Sequence, residues 1–162
     1  MKLVFPVLLC LLFASCFNEG DCLISATNFI HIQFKKKSNH TVDTLVLFNY
    51  IYFVGTDSGI SKFQASEILL PVNINADSSS TGYIFQISSL DSTLTENDTL
   101  RVSYARQSKV ITKDCGAYTF YNDLKITEST FGSNVKAYST SLIKDPTTSG
   151  FSSYAINYQI YF

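Results

Sequence analysis

Thiol and imidazole groups are the side chains of this sequence that could do chemistry. There are four cysteines, at positions 10, 16, 22 and 115, and two histidines, His31 and His40. A thiol can form a disulfide, ligate a metal ion or carry an acyl chain. No C-x-x-C, H-E-x-x-H, G-x-S-x-G or P-loop spacing is present, and both histidines are predicted to be exposed polar residues. We therefore expect no metal site, no cofactor and no catalytic residues.

The carboxylates are scattered along the chain. Most lie in predicted turns, as Asp57, Asp77, Asp91 and Asp114 do, where such side chains bond nearby backbone N–H groups. A paired-carboxylate glycosidase would need the fold to bring two of them together, and nothing in the sequence favours that. We expect a protein that is not an enzyme.

The first fifteen residues have the parts of a secretory signal peptide. Lys2 is followed by an apolar run from Leu3 to Ala14, broken only by Pro6, and then by the small residue Ser15. The run has about a dozen residues, whereas a membrane-spanning helix needs ~20. We predict that residues 1–15 are removed and that Cys10 is removed with them.

Cys16 follows the segment Leu12-Phe13-Ala14-Ser15, which resembles the lipobox of bacterial lipoproteins, although Leu is more usual at the position of Phe13. The resemblance implies that Cys16 is lipidated, and each buried CH₂ of an acyl chain contributes ~0.8 kcal/mol to membrane binding. Residues 16–21 would then form a tether that reaches roughly 20 Å at most. The alternative is an ordinary secretory signal, with Cys16 paired or lost, but that cleavage prefers a small residue at position 13.

Cys22 and Cys115 are the remaining pair if Cys16 carries a lipid. In an exported, oxidising setting a disulfide is the first expectation, since two isolated cysteines make a poor metal site. The bridge would close a loop of about 94 residues, for which chain entropy gives on the order of 4 to 5 kcal/mol. It would also join the start of the folded region, residues 22–162, to the body of the domain.

Charge and length exclude some classes of function. The chain has 12 basic and 13 acidic side chains and a formal net charge of −1, so nucleic acid is a poor candidate partner. The length left after the signal peptide suits a single domain with a sizeable core.

The remaining residues alternate between apolar and polar with the period of a β-strand. In the first segment, Ile30, Ile32 and Phe34 share one face, while His31, Gln33 and Lys35 share the other. After a polar turn at residues 35–40, strands are predicted at Thr44 to Val54, Glu67 to Leu70, Gly82 to Ser88, Thr99 to Tyr104, Lys109 to Thr112, Ala117 to Tyr121, Val135 to Thr140 and Tyr154 to Phe162. The segment from Tyr121 to Glu128 is predicted as one short helix or turn.

This pattern predicts an all-β protein, an antiparallel β-sandwich of immunoglobulin-like type. The closing aromatic Phe162 also resembles the terminal signal of outer-membrane β-barrels. Spanning strands of such a barrel need ~9 to 11 residues, and the segment from Thr99 to Tyr104 is shorter. A small outer-membrane barrel is therefore the lesser alternative.

Two features of the sequence relate to carbohydrates, the number of aromatic residues and two short triplets. Ten tyrosines and thirteen phenylalanines could form a carbohydrate-binding surface, but a chain with no Trp is expected to use most of them in its core. The triplets Asp43-Thr44-Leu45 and Asp98-Thr99-Leu100 resemble O-glycosylation acceptors of Bacteroidetes exported proteins. Thr44 and Thr99 are thus candidate modification sites, and the alternative is an Asp in a turn before a strand.

The chain resembles a family of uncharacterised Bacteroidetes lipoproteins that contains the domain of unknown function DUF6452. The likeness extends over nearly the whole mature chain. Its most specific part is the segment from Asp114 to Leu124, where Cys-Gly precedes an aromatic strand and Asn-Asp-Leu. The other matching parts are the lipobox, Cys22, Leu69 to Asn73 and Asp98 to Tyr104. Where the pattern often has Thr-Pro before the first strand, this chain has Thr27-Asn28. The resemblance implies an outer-membrane or periplasmic setting and assigns no activity.

We expect a membrane-anchored envelope lipoprotein that acts as a non-enzymatic binding or structural partner of another envelope component, such as an outer-membrane protein. The alternative is a carbohydrate-binding module displayed by the same anchor.

Overall fold

Ten strands and two 3-10 turns make up the regular structure of the described residues. The structure is a computed structural model, and it describes residues 22–75, 79–88, 95–113 and 115–162. The predicted signal peptide, Cys16, the tether, Asp77, Asp91 and Asp114 lie outside this range. The strands are β1 (Phe29–Lys36), β2 (Asn39–Asp43), β3 (Val46–Phe53), β4 (Gly59–Ala65), β5 (Glu67–Pro71), β6 (Ser80–Ser88), β7 (Thr95–Thr112), β8 (Gly116–Ser129), β9 (Val135–Ala137) and β10 (Ile156–Tyr161), and the 3-10 turns are Gly132–Asn134 and Phe151–Ser153.

The strands form two sheets. In the first sheet β1 pairs with β10 on one side, and β9 lies beyond β10. On its other side β1 pairs with β5 along its first half and with β2 near its end. The second sheet has the order β4-β3-β6-β7-β8. The chain is therefore all-β, as predicted.

The two sheets share one hydrophobic core. Ile30, Ile32 and Phe34 of β1 are fully buried, and this confirms the face that the alternation predicts. The ring of Phe34 lies 5.2 Å from that of Phe48 in β3, so the inner faces of the two sheets are in contact. At about 25 cal/mol per Å² of apolar area, this burial is the main favourable contribution to folding.

The prediction of a purely antiparallel arrangement is wrong for one pair of strands. β1 and β10 run parallel, with Phe34 opposite Ile160. They are the first and last strands of the described residues, and a long connection of this kind permits parallel pairing, which a short hairpin does not. Nothing in the alternation of either segment carries this information.

Four predicted features of secondary structure are also corrected. β7 is one strand of 18 residues rather than two short ones. The prediction divided it because its middle, around Gln107 and Ser108, is exposed and shows no apolar alternation. The predicted polar turn at residues 35–40 contains the start of β2, and β4 was not predicted. The segment from Tyr121 to Glu128 is strand, not helix.

A bulge in β8 explains the false helical signal. The pairing of β8 with β7 shifts register between Ser103 and Ala105, next to Asp123, whose φ is +55°. The extra residue places both Tyr121 and Leu124 in the core. Buried residues three positions apart imitate the spacing of a helix.

Two buried tyrosines differ in how their hydroxyl groups are satisfied. The Tyr83 hydroxyl donates a hydrogen bond to the Pro71 carbonyl oxygen at 2.9 Å. The Tyr158 hydroxyl is buried with no partner among the described residues. Burial raises the pKa of Tyr158 to about 12 and also raises the pKa of Tyr83. An unpaired buried hydroxyl lowers stability, whereas a paired one does not.

We predict opposite responses to removal of these two hydroxyls. Tyr158→Phe should leave the free energy of unfolding unchanged or raise it by up to about 1 kcal/mol, since it removes an unsatisfied group. Tyr83→Phe should lower it by about 1 to 3 kcal/mol, because the Pro71 carbonyl loses its donor. Urea unfolding of both variants beside the wild type measures the difference. Equal losses in the two variants would contradict this assignment.

Candidate functional site

A disulfide joins the start of the described chain to the end of the long β7–β8 hairpin. Cys22 and Cys115 are bonded, with their Cα atoms 5.7 Å apart. This confirms the predicted pairing. Cys115 lies in the turn between β7 and β8, where its backbone N–H donates to the Thr112 hydroxyl at 3.0 Å, and Gly116 follows with a φ of +73°. A glycine suits this left-handed position because it has no Cβ.

Backbone hydrogen bonds hold the chain on the way from the disulfide to β1. The Lys144 N–H donates to the Ser25 carbonyl at 2.8 Å, and the Thr27 N–H donates to the Leu142 carbonyl at 3.3 Å. Leu142 in turn donates to the carbonyl of Tyr121 in β8 at 2.9 Å. The segment after Cys22 is therefore fixed to β8 both by the disulfide and through residues 142–144.

The end of the hairpin exposes apolar side chains. Leu23 next to the disulfide is 65% exposed, Val110 of β7 is 69% exposed and Tyr118 of β8 is 37% exposed. Lys109 and Lys113 are exposed at the same end of the hairpin, with Lys109 and Val110 on opposite faces of β7. We call this set, Leu23, Lys109, Val110, Lys113 and Tyr118, the hairpin-end surface. Apolar and cationic side chains together are the composition that favours contact with a membrane interface.

His31 is not the exposed residue that the sequence predicts. Its side chain lies within 3.1 Å of a Glu67 carboxylate oxygen through Nε2 and within 3.2 Å of the Tyr154 carbonyl oxygen through Nδ1. The ring of Phe151 covers it at 5.7 Å, and the residue is 2% exposed. The prediction failed because the covering residues lie far along the chain. His40 is exposed, as predicted.

Fewer of the aromatic side chains serve the core than expected. Nine of the twenty tyrosine and phenylalanine side chains among the described residues are buried: Phe34, Phe48, Tyr83, Phe85, Tyr104, Tyr121, Phe131, Tyr158 and Tyr161. On the outer face of the second sheet, Tyr50 and Tyr52 stack at 4.3 Å. Gly59 makes room for this pair, since a Cβ there would lie 2.2 Å from the Tyr50 ring and 2.4 Å from the Ile51 carbonyl oxygen.

The other predicted site residues are placed as follows. Cys16 is outside the described residues, so lipidation stays a prediction. Thr44 lies between β2 and β3, and Thr99 lies within β7, both half-buried. The Asp98 carboxylate accepts a hydrogen bond from the Thr130 hydroxyl at 2.7 Å. Glycosylation of either threonine also stays a prediction.

Among the described residues, no three His, Cys, Asp or Glu side chains lie together in a group that could hold a metal ion. Within the same residues, no helix is long and apolar enough to cross a membrane.

Comparison with known proteins identifies a family. The model of the family of unknown function DUF6452 matches residues 49–162. The chain belongs to this family. The DUF6452 match includes Cys115 and the whole β7–β8 hairpin, while Cys22 and β1 precede it. No curated protein and no solved structure matches the chain.

We predict that the disulfide stabilises the hairpin end more than the core. The double variant Cys22→Ser/Cys115→Ser should lose about 2 to 5 kcal/mol of stability. Its amide hydrogens at residues 23–27 and 108–118 should lose protection through local opening, while those of β3 and β6 should accelerate only as far as the loss of global stability requires. Hydrogen exchange with mass spectrometry measures both regions. Reduced wild-type protein is the matched control, and uniform acceleration over the whole chain would contradict a local role for the bridge.

Proposed function

We propose that this protein is an exported lipoprotein, lipidated at Cys16, that holds a non-enzymatic binding domain close to the membrane. The observation that supports this most is the disulfide between Cys22 and Cys115. Cys16 precedes Cys22 by six residues. A lipid on Cys16 would therefore lie within roughly 20 Å of the hairpin end, since an extended chain spans at most ~3.3 to 3.6 Å per residue.

The hairpin-end surface has the chemistry that such a position requires. The interface would contact the exposed apolar side chains of Leu23, Val110 and Tyr118. Anionic headgroups would pair with the ammonium groups of Lys109 and Lys113. A juxtamembrane cation contributes about 1 kcal/mol to binding an anionic leaflet. In this proposal the acyl chains provide the durable anchor, and the hairpin end orients the domain on the bilayer.

We further propose an immunoglobulin-like sandwich in the bacterial envelope, anchored in the outer membrane, whose partner is another envelope component. Two facing sheets with alternating inward residues support this fold class. The short tether supports a partner close to the membrane, such as an outer-membrane protein.

The lipidation test compares two cysteine variants. In a bacterial host that processes lipoproteins, the wild-type chain should fractionate with membranes, and its N-terminal peptide should carry acyl chains on Cys16. Cys16→Ser should appear in the soluble fraction, because it removes the sulfur that accepts the lipid. Cys10→Ser is the matched control and should behave as the wild type, since Cys10 is predicted to leave with the signal peptide.

Mass spectrometry of the N-terminal peptide and membrane fractionation give the two readouts. An unmodified Cys16 thiol in the wild-type protein would refute the proposal. Membrane retention of the Cys16→Ser variant would refute it as well.

A further inference from the structure

A pocket of about 400 Å³ lies at the end of the domain opposite the disulfide. It forms where β1 and β10 end and β9 begins, and its walls include Lys37, His40, Asn134, Lys136 and Tyr161. β8 runs from Gly116 at the hairpin end to Ser129, and the residues that follow it lie near the pocket, where the Phe131 ring is 6.0 Å from that of Phe162 and Asn134 lines the wall. The length of β8 therefore separates the pocket from the hairpin end.

An aromatic pair forms one wall of the pocket. The rings of His40 and Tyr161 lie 4.3 Å apart. The Tyr161 hydroxyl donates to the Gln159 side-chain oxygen at 3.0 Å, and the Gln159 amide donates to the Gln33 side-chain oxygen at 2.8 Å. These hydrogen bonds fix the position of the Tyr161 ring, so this wall of the pocket is preorganised for binding.

The pocket is positively charged. Lys37 and Lys136 line it, and no Asp or Glu is among its described lining residues. The nearby Asp43 carboxylate is paired with Lys35 at 2.6 Å. None of the ion pairs among the described residues includes Lys37 or Lys136. Neither lysine ammonium group is paired with a carboxylate among the described residues, although that of Lys136 contacts the exposed Tyr138 side chain.

Tyr138 lies beside the pocket, next to Lys136 and Tyr161. Its hydroxyl lies 3.4 Å from that of Tyr161, and the Lys136 ammonium lies 5.1 Å from its ring centroid. The pKa of Tyr138 is lowered, first by the hydrogen bond with Tyr161 and then by the charge of Lys136 and the hydrogen bond with it, whereas the hydrogen bond between the two tyrosines raises the pKa of Tyr161.

We propose that this pocket binds an anionic sugar. Lys37 and Lys136 pair with its phosphate or carboxylate group, the sugar ring packs against the exposed His40 ring, which the buried Tyr161 ring supports, and Asn134 hydrogen-bonds a ring hydroxyl. The volume lies within the range of about 300 to 1,000 Å³ that small-molecule sites occupy. Aromatic faces beside polar groups are suited to sugar rings. The proposal does not depend on lipidation of Cys16, and it gives the carbohydrate-binding alternative a location.

Isothermal titration of the purified, disulfide-bonded protein tests the pocket with four probes: glucuronic acid, glucose 6-phosphate, glucose and inorganic phosphate. At least one of the two anionic sugars should bind at least tenfold more tightly than glucose and than inorganic phosphate. The stronger of the two identifies the anion as a carboxylate or a phosphate. No binding of either anionic sugar, or equal binding of inorganic phosphate, would overturn the proposal.

Variants locate the binding. Lys136→Gln should weaken binding of the anionic sugar at least tenfold, and Lys37→Gln provides a second test if the first variant does not fold. Lys62→Gln, on exposed β4 of the other sheet, is the matched charge control and should bind as the wild type. Tyr52→Ala tests the aromatic pair of Tyr50 and Tyr52 on the second sheet. Loss of binding in Tyr52→Ala or Lys62→Gln with retention in Lys136→Gln would place the site elsewhere and overturn the proposal.

Discussion

The disulfide between Cys22 and Cys115 is the constraint on which the arrangement of this molecule depends. It joins residues 93 positions apart, and it fixes the start of the described chain to the end of the longest hairpin. Hydrogen bonds between residues 142–144 and residues 25–27 hold the same segment of the chain, but they are few. The covalent bond therefore determines which end of the domain lies nearest to anything attached before Cys22.

The two ends of the domain differ in the chemistry of their exposed side chains. The hairpin end presents exposed apolar residues and lysines around Val110, which is the composition of a membrane-facing surface. The opposite end presents a basic, aromatic-walled pocket around Lys136. If the chain is anchored at Cys16, the pocket faces away from the bilayer and is open to solutes of the surrounding compartment. An anchored binding domain needs this separation, because a ligand site against the membrane would be blocked.

Sequence alone predicts the features that depend on few residues and misses those that depend on packing between distant segments. The inner face of β1 follows from alternation, and the pairing of Cys22 with Cys115 follows from cysteine counting. The burial of His31 and the parallel pairing of β1 with β10 do not, since Phe151, Tyr154 and β10 lie more than 100 positions away. The pocket is similar: Lys37 and Lys136 come from distant parts of the chain, and only the lysine run at residues 35–37 suggests a positive surface.

The orientation of the domain on the membrane tests this account most directly. Paramagnetic relaxation by gadolinium-labelled headgroups can be measured by NMR on the acylated protein in lipid nanodiscs. If the hairpin end faces the bilayer, the amide signals of Val110 and Tyr118 should be attenuated most and those of Lys37 and Lys136 least. Attenuation centred on the pocket, or equal attenuation over the whole domain, would contradict it.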